Sequence, residues 1–353
     1  MKLYYAVHQE LKQEWEKIVD PLLLHYTGSM FGIGCDARNQ KALDRINTLK
    51  QRPANSGYIV LVSDLEALKK YDVQMTNKMQ GLISQYSPGD LTVVLPCNHP
   101  RLQHLQLNGK IAFRIPENKL LRQFLTLTDI PLISTSINIS HKPPENDYTH
   151  IINDFQNWFD LGLVPENELI AEGKPSTLVT IDNDKLICLR EGQIDFSQLE
   201  QDFYQPLLTF VCTGNICRSP LAEYYFRQQA EKYHLNWRST SAGFIESGIK
   251  ISENSRILLE RDGINANAHV STSLNKVLIN RSRIVLTMTV YHKKNLINTG
   301  WKSDHVFTLA EYVGKQHDIE DPYQESLEVY QQAYQQIKYY IDLLIKKLLQ
   351  EQQ

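Results

Sequence analysis

Short runs of β-branched and apolar residues punctuate the first half of the chain: Tyr58-Ile59-Val60-Leu61-Val62, Leu91-Thr92-Val93-Val94-Leu95, Ile111-Ala112-Phe113-Arg114-Ile115 and Leu178-Val179-Thr180-Ile181. Runs of this length read as strands, and stretches with helical spacing such as Gln40 to Leu49 lie between them. The mixture predicts an α/β domain on a twisted sheet. Further on, Leu207 to Val211 reads as a buried strand. Ser219-Pro220 after it reads as a capped helix start with proline in the first position. At the end, Leu327, Tyr330, Tyr334, Ile337, Ile341, Leu344 and Leu348 recur every three or four residues, which predicts a terminal helix docked on a sheet rather than a coiled-coil seam. Glu191 to Tyr204 is polar and has no apolar period of its own, so it reads as a linker. No internal repeat is visible.

The 353 residues exceed the roughly 100 to 200 of one domain, so two are expected. A net charge of -3 and a pI near 6.4 argue against a polyanion-binding tail. Five scattered cysteines, an odd number without metal-ligand pairs, suit a reducing compartment and predict no bound metal. No apolar stretch reaches the length of a signal peptide core or a membrane helix. A cytoplasmic protein with no membrane partner is the expectation.

Between the Leu207 strand and the Ser219 helix, Cys212-Thr213-Gly214-Asn215-Ile216-Cys217-Arg218-Ser219 places a cysteine and an arginine six positions apart. Backbone N–H groups and the dipole of the following helix favour a bound phosphate and an ionised cysteine there. Asn215 can hold a left-handed turn, Arg218 can grip two phosphate oxygens, and Ser219 can donate to the thiolate. The string resembles the signature of the low-molecular-weight protein tyrosine phosphatases. Asp321-Pro322-Tyr323, Ser241-Ala242-Gly243, His269 and the Ile284 to Met288 strand extend the likeness from about Pro206 to the end. Arg283 departs from it, replacing an acidic residue. The resemblance implies a three-layer α/β/α fold with a parallel sheet and no cofactor. It makes Cys212 the nucleophile, Arg218 the phosphate clamp, Asp321 the general acid and then base, and Cys217 at most a redox partner. Phosphotyrosine, phosphoarginine and arsenate chemistry all run on such cradles. A threonine at position 216 goes with the arginine branch, so Ile216 favours a phosphotyrosine protein as substrate.

The first domain has its own constellation. Lys50 and Arg52 flank one residue in what reads as an extended segment, so both can face a polyphosphate. Ser136 and Asn138 follow an apolar strand, Arg114 sits on another, and Pro175-Ser176-Thr177 and Arg190-Glu191-Gly192 come later. With Ser87-Pro88-Gly89-Asp90-Leu91-Thr92, this set resembles the YrdC-type L-threonylcarbamoyl-AMP synthases from about Leu23 to Gly192. The resemblance implies a YrdC-like twisted mixed sheet with helices. It also implies an enzyme joining L-threonine, bicarbonate and ATP, with Mg2+ carried by the ATP, into threonylcarbamoyl-adenylate. Separate tRNA-modification proteins would use the product. Thr27, Lys50, Arg52, Arg114, Ser136, Asn138, Ser176 and Arg190 would bind ATP and threonine, with Ser29 near Thr27. The chain departs at Tyr26-Thr27-Gly28-Ser29, where the family has Pro-Thr-acid-Thr, at Ser56-Gly57, and at Asp90. A degenerate nucleotide-handling domain and a module binding double-stranded RNA on a basic concave surface stay open as alternatives. The expected boundaries are 1–192, a linker 193–205, and 206–353.

Overall fold

The computed structural model describes residues 1–352 except 53–56, 167–172, 246 and 300–303. Pro53 and Ser56 therefore lie outside the described residues. The chain divides into two compact units, Met1–Glu200 and Gln201–Gln353. Within the segment 193–205, Phe196–Tyr204 is helical. Leu199 and Phe203, one turn apart, are buried, and so is Asp202, which accepts from Arg238. This short apolar stripe is diluted by the polar residues around it, so the sequence pattern hides it.

In the first unit the described strands are β1 (Lys2–Tyr4), β2 (Leu23–Tyr26), β3 (Phe31–Gly34), β4 (Ile59–Leu61), β5 (Leu91–Pro96), β6 (Lys110–Arg114), β7 (Leu132–Ser136), β8 (Leu161–Leu163), β9 (Thr177–Asp182) and β10 (Lys185–Arg190). They form one sheet in the order β1-β8-β2-β3-β7-β4-β6-β5-β9-β10, with parallel and antiparallel neighbours mixed. Register aligns Ser134, Ile59, Ala112, Val94 and Thr180 in a row across five strands. The helix Lys119–Thr128 buries Leu121, Phe124 and Leu125, with Phe124 edge-on to Trp15 at 5.4 Å.

The second unit holds four parallel strands, β11 (Leu207–Cys212), β12 (Arg238–Gly243), β13 (Ser282–Thr287) and β14 (Val306–Thr308), in the order β12-β11-β13-β14. Alternate residues feed opposite faces. Leu208, Phe210, Ile284 and Leu286 pack with the helices Arg218–Lys232, Glu253–Arg261 and Leu327–Gln352, whereas Val211, Val285 and Val306 pack with Ile279 and Leu296 of two others. This is the three-layer arrangement expected. Tyr330, Tyr334, Ile337, Ile341, Leu344 and Leu348 are all buried in that core, so the terminal helix is docked along its apolar stripe. Among the described residues no helix is long and apolar enough to cross a membrane.

Candidate functional site

Strand β11 ends on Cys212, and the helix after the loop starts at Arg218, two residues earlier than the Ser219-Pro220 pair suggested. Its N-cap is Cys217, without a side-chain cap. Pro220 is tolerated because first-turn N–H groups have no partner within the helix. Ser219 is thereby freed from capping: its Oγ lies 3.0 Å from Cys212 Sγ. The Asn215 N–H also reaches that sulfur, at 3.3 Å. Two polar groups at the foot of the loop thus meet the sulfur.

Asn215 is the hub. It is fully buried with φ of 53°, a conformation that asparagine tolerates better than most residues. Its Nδ2 donates to Ser219 Oγ (2.9 Å) and Ser241 Oγ (2.7 Å), and its Oδ1 accepts from the Thr272 N–H (2.8 Å). His269 Nε2 lies 2.9 Å from its carbonyl oxygen. Ser241 in turn donates to buried Glu223 at 2.5 Å. A Cβ on Gly243 would lie 2.7 Å from the Thr213 carbonyl and 2.9 Å from the Asn215 nitrogen, so only glycine lets β12 approach the loop this closely. Gly214, by contrast, would meet only Ile245 and Ile216 at ordinary contact distance.

Arg218 is buried beneath the loop. Its Nη1 donates to Ile319 O (3.1 Å) and its Nη2 to Asp321 Oδ2 (2.6 Å), while buried Nε has no partner among the described residues. An N–H left without a partner beside this loop fits a phosphate oxygen. Asp321 is half exposed. Cys217 is buried and lies 3.2 Å from Tyr330 Oη, and burial pushes its thiol up. On the far side, Thr213 Oγ1 lies 2.9 Å from His292 Nε2. Burial, with the Arg218 charge adding, holds the His292 ring down to about 4. Phe244 stacks on it at 5.7 Å, and Phe244, Ile245 and Tyr323 leave apolar surface exposed at this rim. The sequence reading missed Glu223 and His292, whose roles arise only through contacts far along the chain.

In the first unit a cleft of about 710 Å³ is lined by Thr27, Arg52, Arg114, Ser136, Ser176 and Arg190 among others. Arg190 donates to Ser176 O (2.8 Å) and Oγ (3.1 Å), and Thr92 Oγ1 lies 2.6 Å from that same hydroxyl. Arg114 is buried and donates to Gly89 O, Ser29 Oγ and Asp90, the last at 2.6 Å. Asp90, where the family has proline, thus neutralises a cation on the cleft floor. Thr27 Oγ1 donates to Met30 O at 3.0 Å and closes the turn at the cleft mouth.

Lys50 corrects the expectation of paired cations facing one ligand. It is the last residue of the helix Gln40–Lys50, and Gln51 turns the chain left-handed at φ 51°; Lys50 reaches Ser136 and Asn138, whereas Arg52 reaches Thr135 and Gly57. Buried Lys50 does not line the cleft; its Nζ donates to Asn138 O (2.9 Å), Asn138 Oδ1 (2.8 Å) and Ser136 O. Burial, with Arg52 adding, pushes it down to about 8. Asn138 likewise braces the segment rather than lining the cleft, its Nδ2 donating to Lys142 O at 2.6 Å. Arg52 does line it, donating to Thr135 Oγ1 (2.8 Å) and Gly57 O (2.6 Å) over the Tyr58 ring. Gly28 sits at φ 110°, and a Cβ there would lie 2.9 Å from Glu117 Cβ, so this backbone does not accept the family's acidic residue. Among the described residues no three His, Cys, Asp or Glu side chains converge as a metal cage. The donor set fits Mg2+ only as an ion carried by a triphosphate.

The family model described as "Telomere recombination", that of the Sua5, YciO and YrdC proteins, matches residues 22–192, and that of the low molecular weight phosphotyrosine protein phosphatases matches residues 207–353. The chain is 36% identical over 143 residues to the threonylcarbamoyl-AMP synthase of Yersinia enterocolitica, covering 39% of this chain and 71% of that protein. It is 38% identical over 144 residues to a protein-arginine-phosphatase of Bacillus subtilis, covering 40% of this chain and 95% of that one. It is 33% identical over 137 residues to a low molecular weight protein-tyrosine-phosphatase of Staphylococcus haemolyticus, covering 39% and 96%. The chain belongs to both families, its first unit to the YrdC type and its second to the low molecular weight phosphatases. The relatives in each are named as enzymes.

Proposed function

We propose that the chain is bifunctional, making L-threonylcarbamoyladenylate in its first unit and hydrolysing protein phosphomonoesters, phosphotyrosine foremost, in its second. In the second, the Cys212 thiolate attacks phosphorus, and the S–P bond forms as the P–O bond breaks. Asp321 gives its proton to the departing oxygen, then takes one from the water that releases phosphate and regenerates the thiolate. The observation that carries this reading is Cys212 Sγ held by the Asn215 N–H and near Ser219 Oγ, with buried Arg218 Nε at the end of the same loop without a partner among the described residues. Apolar Ile216, Phe244, Ile245 and Tyr323 at the rim favour an aromatic ester. The arginine phosphatases among the relatives favour phosphoarginine as a second reading. Comparing hydrolysis of phosphotyrosine and phosphoarginine peptides decides between them, and a large preference for phosphoarginine sinks the inference from Ile216.

In the first unit the carbamate formed from L-threonine and bicarbonate attacks the α-phosphorus of ATP, and pyrophosphate leaves. The protein supplies orientation and cationic clamping. Arg52, Arg114 and Arg190 around one cleft support this. Each is already tied to specific protein acceptors, unlike the free charges that suit nonspecific RNA binding. The product would pass to separate tRNA-modification proteins. Pyrophosphate release that requires both L-threonine and bicarbonate and is lost in Arg52→Ala is the expected result. Steeply salt-dependent RNA binding without release would point to the RNA module.

A further inference from the structure

On β2 the His25 side chain is wholly buried. Strand β3 makes room for it with two glycines: a Cβ on Gly32 would lie 2.8 Å from His25 Nε2, and one on Gly34 3.0 Å from Cε1. Nδ1 lies 3.3 Å from the Leu23 carbonyl oxygen, which can only accept. Burial holds the ring down to about 4, so near neutral pH its single proton sits on Nδ1. Nε2 then offers a lone pair, and the group 2.9 Å away is Ser134 Oγ. The Ser134 hydroxyl therefore donates inward.

Ser136 does the same. Its Oγ donates to Asn138 Oδ1 at 2.6 Å, and the Lys50 ammonium on that atom identifies it as the amide oxygen. The two serines stand two residues apart on β7, on the same side of the strand, and both line the cleft. With their protons turned away, their oxygens offer the cleft lone pairs only. That is the opposite of what a phosphate oxygen needs.

We propose that Ser134, oriented by His25 as a positioning residue, is an acceptor subsite that takes an N–H donor of the ligand. Across the floor from Ser134 come Ile59, Ala112 and Val94, an apolar strip on which a ring or an aliphatic side chain can lie. Two ligands supply the N–H: an amino acid through its nitrogen, or adenine through its exocyclic amine. The proposal rests on reading the cleft as a site for an amino acid and a nucleotide, and it adds the polarity of one wall.

The test measures direct binding of L-threonine, ATP, inosine triphosphate and tripolyphosphate to the full chain by calorimetry. The variants are His25→Phe, which removes the lone pair, His25→Gln, which keeps an acceptor, and Ser134→Ala. His25→Phe and Ser134→Ala should each weaken either L-threonine or ATP about 3- to 10-fold, leaving inosine triphosphate and tripolyphosphate unchanged. His25→Gln should bind within about twofold of the parent. Loss confined to ATP assigns the base amine; loss confined to L-threonine assigns the amino acid. Equal weakening of tripolyphosphate, or no weakening in Ser134→Ala, overturns the proposal. Ser134→Ala alone decides the matter if the His25 variants fail to fold. A parent chain that binds neither L-threonine nor ATP overturns the reading of the cleft and the inference with it.

Discussion

Arg218 Nη2 donates to Asp321 Oδ2 at 2.6 Å, although 103 residues separate them. The pair joins the proposed phosphate clamp to the proposed acid and ties the loop that carries Asp321 to the start of the helix Arg218–Lys232. Asp321→Asn should therefore slow hydrolysis of an aryl phosphate by about 10² to 10⁴ while phosphate still binds as a competitive inhibitor. Cys212→Ser should abolish turnover. Full activity in the serine variant would remove Cys212 from the role of nucleophile.

Asn215, itself buried, pairs with Ser219, Ser241 and the Thr272 N–H at once. Asn215→Ala removes one partner from Ser219 and Ser241 and the acceptor of the Thr272 N–H, and should lower the stability of the second unit by about 1–3 kcal/mol, with a fall in kcat for aryl phosphates. Gly243→Ala should damage activity through the loop backbone instead. Unfolding midpoints and steady-state kinetics on both variants separate the two effects, and a fully active Gly243→Ala enzyme would contradict the close packing described.

Lys50 and Arg52 should behave differently despite their spacing. Lys50→Ala removes a buried ammonium that donates to three part-buried acceptors and should cost about 1–3 kcal/mol in the first unit. Arg52→Ala should change stability by less than about 1 kcal/mol but raise the KM for ATP, because Arg52 lines the cleft. Denaturation curves paired with KM values provide the check.

Acid should destabilise both units. His25 and His292 are held down to about 4, against an ordinary value of 6.5. Between those pH values the unfolded chain binds protons that the folded chain does not, so stability falls as pH drops from about 6.5 towards 4. Above 6.5 these two groups add no slope. Each contributes on the order of 3 kcal/mol by pH 4. Denaturant midpoints at pH 7 and 4.5 should differ less in His25→Phe and His292→Phe than in the parent.

The local features of both sites were legible because they are written in contiguous residues. Cys212 to Ser219 folds into a loop whose inward groups all lie within eight positions, and an apolar stripe such as Tyr330 to Leu348 must be buried wherever the helix docks. Roles that depend on sheet register were not legible. Nothing near His25 in sequence names Ser134 as its partner; the pairing of β2, β3 and β7 brings them together and aligns the glycines that make the slot. Lys50 fits a ligand cation by residue type, and only the packing of its helix beside the Ser136 to Asn138 segment turns it into the protein. Sequence by itself determined the chemistry available and the two families it serves, because short-range spacing fixes which groups can share a loop. Tertiary structure alone decided which cations, hydroxyls and carboxylates face a ligand and which brace the fold, because long-range packing sets where each proton and lone pair points.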